Sequence, residues 1–390
     1  MTDRRRFIID SGRAALGFSL LPLAGCSHRD FAPPVSTNGT ALASVTADLE
    51  KQIPKWLEQA NTLALSMAIV DDGKLAWRGA FGVRDTASRA PADDETVFEA
   101  GSVSKTVFAY AALKLCDRGT LDLDTPLTKY TSERFIAGDP RLDLITTRHV
   151  LSHTTGFQNW RSKKEPLKIH FTPGERFGYS GEGYNYLQTV ISRLTGHIEA
   201  SDCKTFEDGL KVCASDFDAF MKSQVLVPFG MASSGYLSVD AYNERMARPH
   251  DASGRQLDRK TTPVDAARYG AAGALHTTPS DYARFLIEVV DPKPGDAFRL
   301  SAGMWKNMIA PQIKIKDWMS WALGWQVQHG ETGDILTHGG DNPGYKALTA
   351  ASISKKSGFV ILTNSDRGFE VIKNVVSSAG MRQFLPVVVD

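Results

Sequence analysis

Two apolar runs, Leu63-Ala64-Leu65-Ser66-Met67-Ala68-Ile69-Val70 and Leu75-Ala76-Trp77-Arg78-Gly79-Ala80-Phe81-Gly82, flank Asp71-Asp72-Gly73. Apolar runs of this length around an Asp-Gly pair predict a β-hairpin. A helix is expected before it, from Leu42 to Ala60, kinked at Pro54. Another starts at Ser102 and stops near Gly119, where Arg118 and the glycine suit a C-cap. From Leu121 to about Val290 the patterns are helical: Leu187 to Leu194 before Gly196, Phe217 to Val227, and Ser280 to Ile287. Strand composition returns at Trp321 to Val327, Tyr345 to Ser354 and Phe359 to Thr363, and Phe369 to Gln383 reads as one closing helix.

Strands at both ends with helices between predict an α+β fold: an antiparallel sheet formed by the N- and C-terminal segments, packed by helices, with a mostly helical inserted region. The sheet part covers about 42–120 and 291–390, and the helical part about 121–290. A cleft is expected where the two meet, because such junctions favour ligand sites. No fixed-period repeat competes with this organisation.

Composition narrows the class. The 390 residues are 42% hydrophobic and 23% charged, enough for a packed core. A formal net charge of +1, with no long basic run, leaves no electrostatic footprint for nucleic acid.

Residues 1–25 are expected to be an export signal. Arg4-Arg5-Arg6-Phe7-Ile8 resembles a twin-arginine start, and the weakly apolar stretch from Ala14 to Ala24, broken by Gly17, Ser19 and Pro22, is too short to span a membrane. Leu23-Ala24-Gly25-Cys26 looks like a lipobox, which implies lipidation of Cys26 and a membrane anchor on the periplasmic side. Ordinary cleavage at Ala24 or Gly25 is the alternative, with Cys26 incidental. Residues 26–41, with Pro33, Pro34 and Gly39, read as a tether. In an oxidising compartment Cys203 and Cys213 are placed to close a disulfide loop, while Cys116 reads as a small buried hydrophobe.

Chemistry concentrates at Ser102-Val103-Ser104-Lys105, which opens the apolar run Thr106-Val107-Phe108-Ala109-Tyr110-Ala111-Ala112-Leu113. Residues three apart share a helical face, so the Lys105 amine is expected beside the Ser102 hydroxyl. Positive charge in a first helical turn opposes the macrodipole, and apolar neighbours imply burial. Both lower the amine pKa and let it take a serine proton. Ser102 is equally explicable as an N-cap. The same spacing recurs at Ser201/Lys204 and Ser352/Lys355, in a polar segment and in a turn between strands.

The segment Thr96-Val97-Phe98-Glu99-Ala100-Gly101-Ser102-Val103-Ser104-Lys105-Thr106 resembles the nucleophile segment of the class C β-lactamase-like, penicillin-binding serine hydrolases, whose members include β-lactamases, D,D-peptidases and esterases. Ile145 to Phe157, Pro173 to Gly181, Gly273-Ala274-Leu275 with Thr278 to Arg284, and His338 to Tyr345 are similar to further family segments in the family's order. The resemblance covers nearly all of residues 42–390 and implies a β-lactamase/transpeptidase-like serine hydrolase domain. It makes Ser102 the nucleophile, Lys105 the group that removes its proton, and Tyr179 a base and then an acid to the leaving group. It also implies an oxyanion hole from the backbone N–H groups of Ser102 and Asp341, and substrate binding along His338, Gly339 and Gly340. A nearby ammonium is expected to favour the Tyr179 phenolate. Without the family, Tyr179 reads as a packed aromatic and His338-Gly339-Gly340 as a glycine-rich turn.

Two departures bear on substrate. Gly181 stands where the family often has the asparagine of Tyr-x-Asn, and His338 stands where relatives carry the lysine of Lys-Thr-Gly. Both favour hydrolysis of a small ester or amide through an acyl-enzyme over efficient β-lactam turnover. The alternatives are a β-lactamase or D,D-carboxypeptidase, or a non-catalytic lipoprotein that binds peptidoglycan or β-lactam fragments. No cofactor is implied. His149 and His153 are spaced to share a helical face, but Val150 breaks the metalloprotease pattern and no metal site is expected. Gly178-Tyr179-Ser180-Gly181-Glu182 likewise lacks the last glycine of an α/β-hydrolase elbow.

Overall fold

Side chains alternate across a strand, so an unbroken apolar run fits only where both sheet faces are covered. In β1 (Ala64–Asp71) and β2 (Lys74–Asp85), the hairpin closes through Asp72 and Gly73, both at positive φ (48° and 66°). That is the conformation for which an Asp-Gly pair is suited. The computed structural model describes residues 37–389 except 132–133, 163, 197–205, 238–243, 259–262 and 294. Cys26 and Cys203 fall outside the described residues, as do Ser201 and Lys204. Leu42–Asp390 form one compact unit.

The remaining strands are β3 (Ala90–Pro91), β4 (Phe98–Glu99), β5 (His276–Thr277), β6 (Ile313–Lys316), β7 (Met319–Trp321), β8 (Gln326–Gln328), β9 (Ile335–Asn342), β10 (Tyr345–Ser352) and β11 (Ser357–Thr363). Among the described residues the main sheet runs β3-β2-β1-β11-β10-β9-β8-β7-β6, antiparallel throughout. The N-terminal β1 thus pairs with the C-terminal β11, Met67 opposite Ile361, as the chain order predicts.

Helix α1 (Thr37–Gln59) covers one face with Leu49, Ile53 and Leu57, packed on Leu65, Met67, Ile69, Phe359 and Ile361. Ala64, Ala68, Val70, Val360 and Leu362 point the other way, into the larger core. That core includes side chains of α2 (Ser104–Asp117), α3 (Thr147–Leu151) and α4 (Gly181–Thr195). Each large apolar side chain so buried contributes about 1.5–3 kcal/mol, which is why the two central strands tolerate almost no polar residue. α5 (Phe206–Met221), α6 (Pro263–Gly273) and α7 (Pro279–Val290) complete the inserted region, and α8 (Ala302–Ile309) precedes β6. No helix among the described residues is long and apolar enough to cross a membrane.

Three expected elements differ. Trp321 to Val327 is two strands: the Ala322 N–H donates to Trp325 O, and Gly324 at φ 91° reverses the chain between β7 and β8. Phe369 to Gln383 divides into α9 (Gly368–Ser377) and α10 (Ala379–Phe384), because Ser378 leaves helical geometry and its hydroxyl caps Met381 N. His149 and His153 do not share a helical face, since α3 ends at Leu151 and His153 turns to φ 54°.

Close backbone approach sets one junction. A Cβ at Gly340 on β9 would fall 2.1 Å from Ala100 O, whereas nothing lies within 4 Å of one at Gly339. Gly340→Ala is therefore expected to lower stability by about 1–3 kcal/mol through overpacking, and Gly339→Ala to leave it unchanged. Urea denaturation of the pair checks this, and equal midpoints for the two variants would contradict the described approach.

Candidate active site

Ser102 sits in a single 3-10 turn, Gly101–Val103, directly before α2. Gly101 adopts φ 53°, and a Cβ there would meet Asp341 N at 2.7 Å, so only glycine lets this turn press against β9. The turn is held from behind as well. Ser104 Oγ donates to Gly101 O (2.6 Å) and accepts from Leu275 N (2.9 Å), and Ala100 N donates to Leu275 O.

One turn on, Lys105 is fully buried, with its Nζ 3.0 Å from Ser102 Oγ and 2.6 Å from Ala272 O. Ala272 lies in the last turn of α6, where carbonyls lack intrahelical partners. Gln188 of α4 keeps that helix end in place by accepting from Ala271 N (2.7 Å) and donating to Ala267 O (3.0 Å). Burial lowers the Lys105 pKa to about 7. Among the described residues no carboxylate pairs with it, so desolvation acts unopposed. Nζ donates to Ala272 O and to Ser102 Oγ, and in its unprotonated form an amine at this distance can take the Ser102 proton instead.

Tyr179 lies on the same side, its ring centroid 5.0 Å from Lys105 Nζ, and its hydroxyl bonds the Ser102 side chain. The expected phenolate is corrected here. Burial raises the Tyr179 pKa above its ordinary value, opposed only by the bond to Ser102. Burial also lowers the Lys105 pKa to about 7, so the amine is not a full cation near neutral pH, and the phenol stays neutral.

His153 fixes this tyrosine and was missed as a site residue from sequence. Its carbonyl accepts from Gly178 N (2.8 Å) and its Nδ1 from Ser180 N (3.0 Å), bracketing Tyr179 on both sides. Its ring packs 4.2 Å from the Tyr179 ring. Because Nδ1 accepts, the imidazole proton is on Nε2, and burial and Lys105 hold its pKa well below the ordinary value. Ser180 then caps α4, its Oγ accepting from Gly183 N at 3.0 Å. The positive φ of His153 leaves no periodic signal in the sequence.

His338, Gly339 and Gly340 lie on β9, in a strand and not a turn, and all three line the same cleft as Ser102 and Tyr179. His338 Nδ1 sits 2.7 Å from Gly339 O; a carbonyl only accepts, so Nδ1 carries the proton and Nε2 is a bare acceptor. That Nε2 is buried with no partner among the described residues. Burial, with Lys105 adding to it, brings the His338 pKa down to about 3. Asp341 borders the cleft next to the Ser102 turn. Asn342 ties the strand end down by donating to Glu99 (2.6 Å) and to Gly273 O (3.1 Å).

The cleft has a volume of about 770 Å³. Trp321 forms part of its wall and packs on His153 (4.9 Å), His338 (5.5 Å) and Tyr179 (5.8 Å). Trp160, Tyr269 and Phe369 are further aromatics in the lining, none of them signalled by a motif. Of the expected site residues, Ser102, Lys105, Tyr179, His338, Gly339, Gly340 and Asp341 therefore meet in one place. Cys213 is on α5, outside this lining, and nothing is described of Cys203.

Comparisons with known proteins bear on the family and the fold. A penicillin-binding protein of Bacillus subtilis is 23% identical over 350 residues, covering 79% of this chain and 70% of that one. Esterase EstB of Burkholderia gladioli is 27% identical over 239 residues, and the match spans about half of each chain, 53% and 55%. Protein flp of Staphylococcus aureus is 20% identical, and the chain spans 64% of its length. Among solved structures, the D-alanine carboxypeptidase AmpC of Burkholderia cenocepacia superposes with a TM-score of 0.71 at 17% identity, over 88% of this chain and all of that one. A penicillin-binding protein homologue from Pyrococcus abyssi gives 0.68 at 21% identity, over 85% and 76%. These likenesses establish the β-lactamase/transpeptidase-like fold. The Beta-lactamase family model matches residues 46–375, and the chain belongs to that family.

Proposed function

We propose that the chain is a serine hydrolase that works through an acyl-enzyme, with small neutral esters as its preferred substrates. The observation that carries this is the buried Lys105 amine, pKa about 7, at 3.0 Å from Ser102 Oγ. Lys105 takes the hydroxyl proton as Oγ bonds to the acyl carbon. The backbone N–H groups of Ser102 and Asp341 receive the developing oxyanion. As the acyl–oxygen bond breaks, the neutral Tyr179 phenol gives its proton to the leaving alkoxide and regains one from Lys105. Water then attacks the ester on Ser102 by the reverse transfers, restoring the free hydroxyl.

Lining charge supports the substrate class. Among the described lining residues, Glu99 and Asp341 are carboxylates and none is lysine or arginine, and Asp341 is paired with Lys346 Nζ at 3.0 Å. His338 is neutral where a fixed cation would hold a substrate carboxylate. Such a lining offers no fixed cation to hold the carboxylates of β-lactams and of peptides ending in D-alanine, so β-lactamase or D,D-carboxypeptidase activity is the lesser reading.

Turnover of p-nitrophenyl esters is expected to exceed that of a chromogenic cephalosporin and of D-amino acid amides. Ser102→Ala should abolish it, and Tyr179→Phe should lower kcat by about 10²–10⁴-fold, the range for lost acid–base catalysis. Near-normal rates in both variants would overturn the mechanism. A stable Ser102 adduct without turnover, seen by mass spectrometry, would instead favour a binding protein.

The pH dependence has a definite sign. Lys105 acts unprotonated, so kcat/KM should rise with pH through about 7. The unfolded lysine titrates near 10.5, above the folded value, so the folded chain holds fewer protons between about 7 and 10.5 and this group makes stability rise with pH across that window. A flat rate profile from pH 5 to 9 would contradict the assignment.

A further inference from the structure

Gly181 is not simply a position lacking a polar group. A Cβ there would fall 2.3 Å from Trp160 Cη2 and 2.5 Å from Cζ2, so the indole fills the volume that a side chain at residue 181 would need. Its neighbours lock it in that place. Gly181 N donates to Asn159 Oδ1 (2.9 Å), and Glu182 N donates to Asn159 O (3.0 Å). On the other side, Arg161 donates through Nε and Nη2 to Glu182 Oε2 (2.9 and 2.7 Å), and its backbone N–H donates to Oε1 (3.0 Å). Trp160 is thus carried between two residues that are both pinned to the first turn of α4.

Despite this anchoring the ring is 41% exposed, as is Tyr269, which meets it edge to face at 5.3 Å and 87°. Both line the cleft that contains Ser102. Large aromatics fixed in place yet left open to water at a cleft mouth mark a contact surface for a ligand. A planar π-system is the partner that two such rings select, through stacked or edge-to-face contact. With Asp341 paired to Lys346 and no lysine or arginine among the described lining residues, the cleft offers no cation to an anionic group, which leaves that ligand neutral.

We propose that Trp160, supported by Tyr269, is the specificity-determining subsite for a planar aromatic group of the ester substrate. This rests on the ester-hydrolase reading above. The tightness with which residues 160 and 181 exclude each other makes them a coupled pair: a side chain at 181 displaces the indole.

The test uses matched esters that differ only in planarity, on each side of the bond: ethyl phenylacetate against ethyl cyclohexylacetate, and phenyl acetate against cyclohexyl acetate. Leaving-group chemistry cancels when each variant's aromatic-to-saturated ratio is divided by that of the parent. Trp160→Ala should lower this ratio of kcat/KM about tenfold for one pair, through KM, with kcat nearly unchanged. Trp160→Phe should restore most of it, and Gly181→Asn should reproduce the loss. Equal falls for the two members in both pairs, or an unchanged ratio in Gly181→Asn for the pair that Trp160→Ala affects, would overturn the proposal. A second arm separates its failure from failure of the hydrolase reading. In Ser102→Ala protein, where no acylation is possible, 4-nitrobenzyl alcohol binding should weaken at least fivefold on adding Trp160→Ala. An aromatic preference in binding without turnover by the parent protein would sink the hydrolase reading alone, whereas equal binding by both proteins would sink the subsite.

Discussion

An amine with no carboxylate partner and no access to water is the constraint on which the rest of the site depends. Desolvation disfavours the charged form of Lys105, and the surroundings offer it only neutral groups: Ala272 O, Ser102 Oγ and the rings of Tyr179 and Tyr184. Two oxygen acceptors suit a neutral amine better than an ammonium with three donors. The placement makes sense as a proton acceptor for Ser102, and makes little sense as a structural ion.

Much of the surrounding structure serves to maintain that environment. The two-sided burial of β1 and β11 fixes the sheet against which α7 packs, and α2 packs in turn on α6 and α8. Gly101 and Gly340 let the nucleophile turn and β9 approach to backbone contact, which brings Asp341 N beside Ser102. Gln188 holds the end of α6 so that Ala272 O meets the amine, and His153 holds Tyr179 from both flanking residues. Low local polarity also explains why His153, His338 and Tyr179 all stay neutral. Ser102 is thus surrounded by neutral donors and acceptors, with Lys105 poised between its two protonation states near neutral pH.

The sheet was legible because its signals are local: an Asp-Gly turn between apolar runs, and strand composition at both ends. Ser102 and Lys105 were legible because two residues three apart share a helical face, which needs no tertiary information. The split of Trp321 to Val327 was not, since Gly324 reverses the chain within a run whose composition is uniformly strand-like. The state of Tyr179 was misjudged for a related reason. Sequence supplies a neighbouring lysine, but whether that lysine is charged depends on burial from α2, α4 and α6 together. His153 and Trp160 were invisible because their roles arise from a positive φ and from contact across a loop, neither of which has a period.

Direct titration of the Lys105 side chain by NMR, on protein labelled at lysine Cε and Nζ and assigned by comparison with Lys105→Arg, tests the central claim. A midpoint close to 7 is the predicted result. A resonance that remains that of an ammonium up to pH 10 would contradict the account.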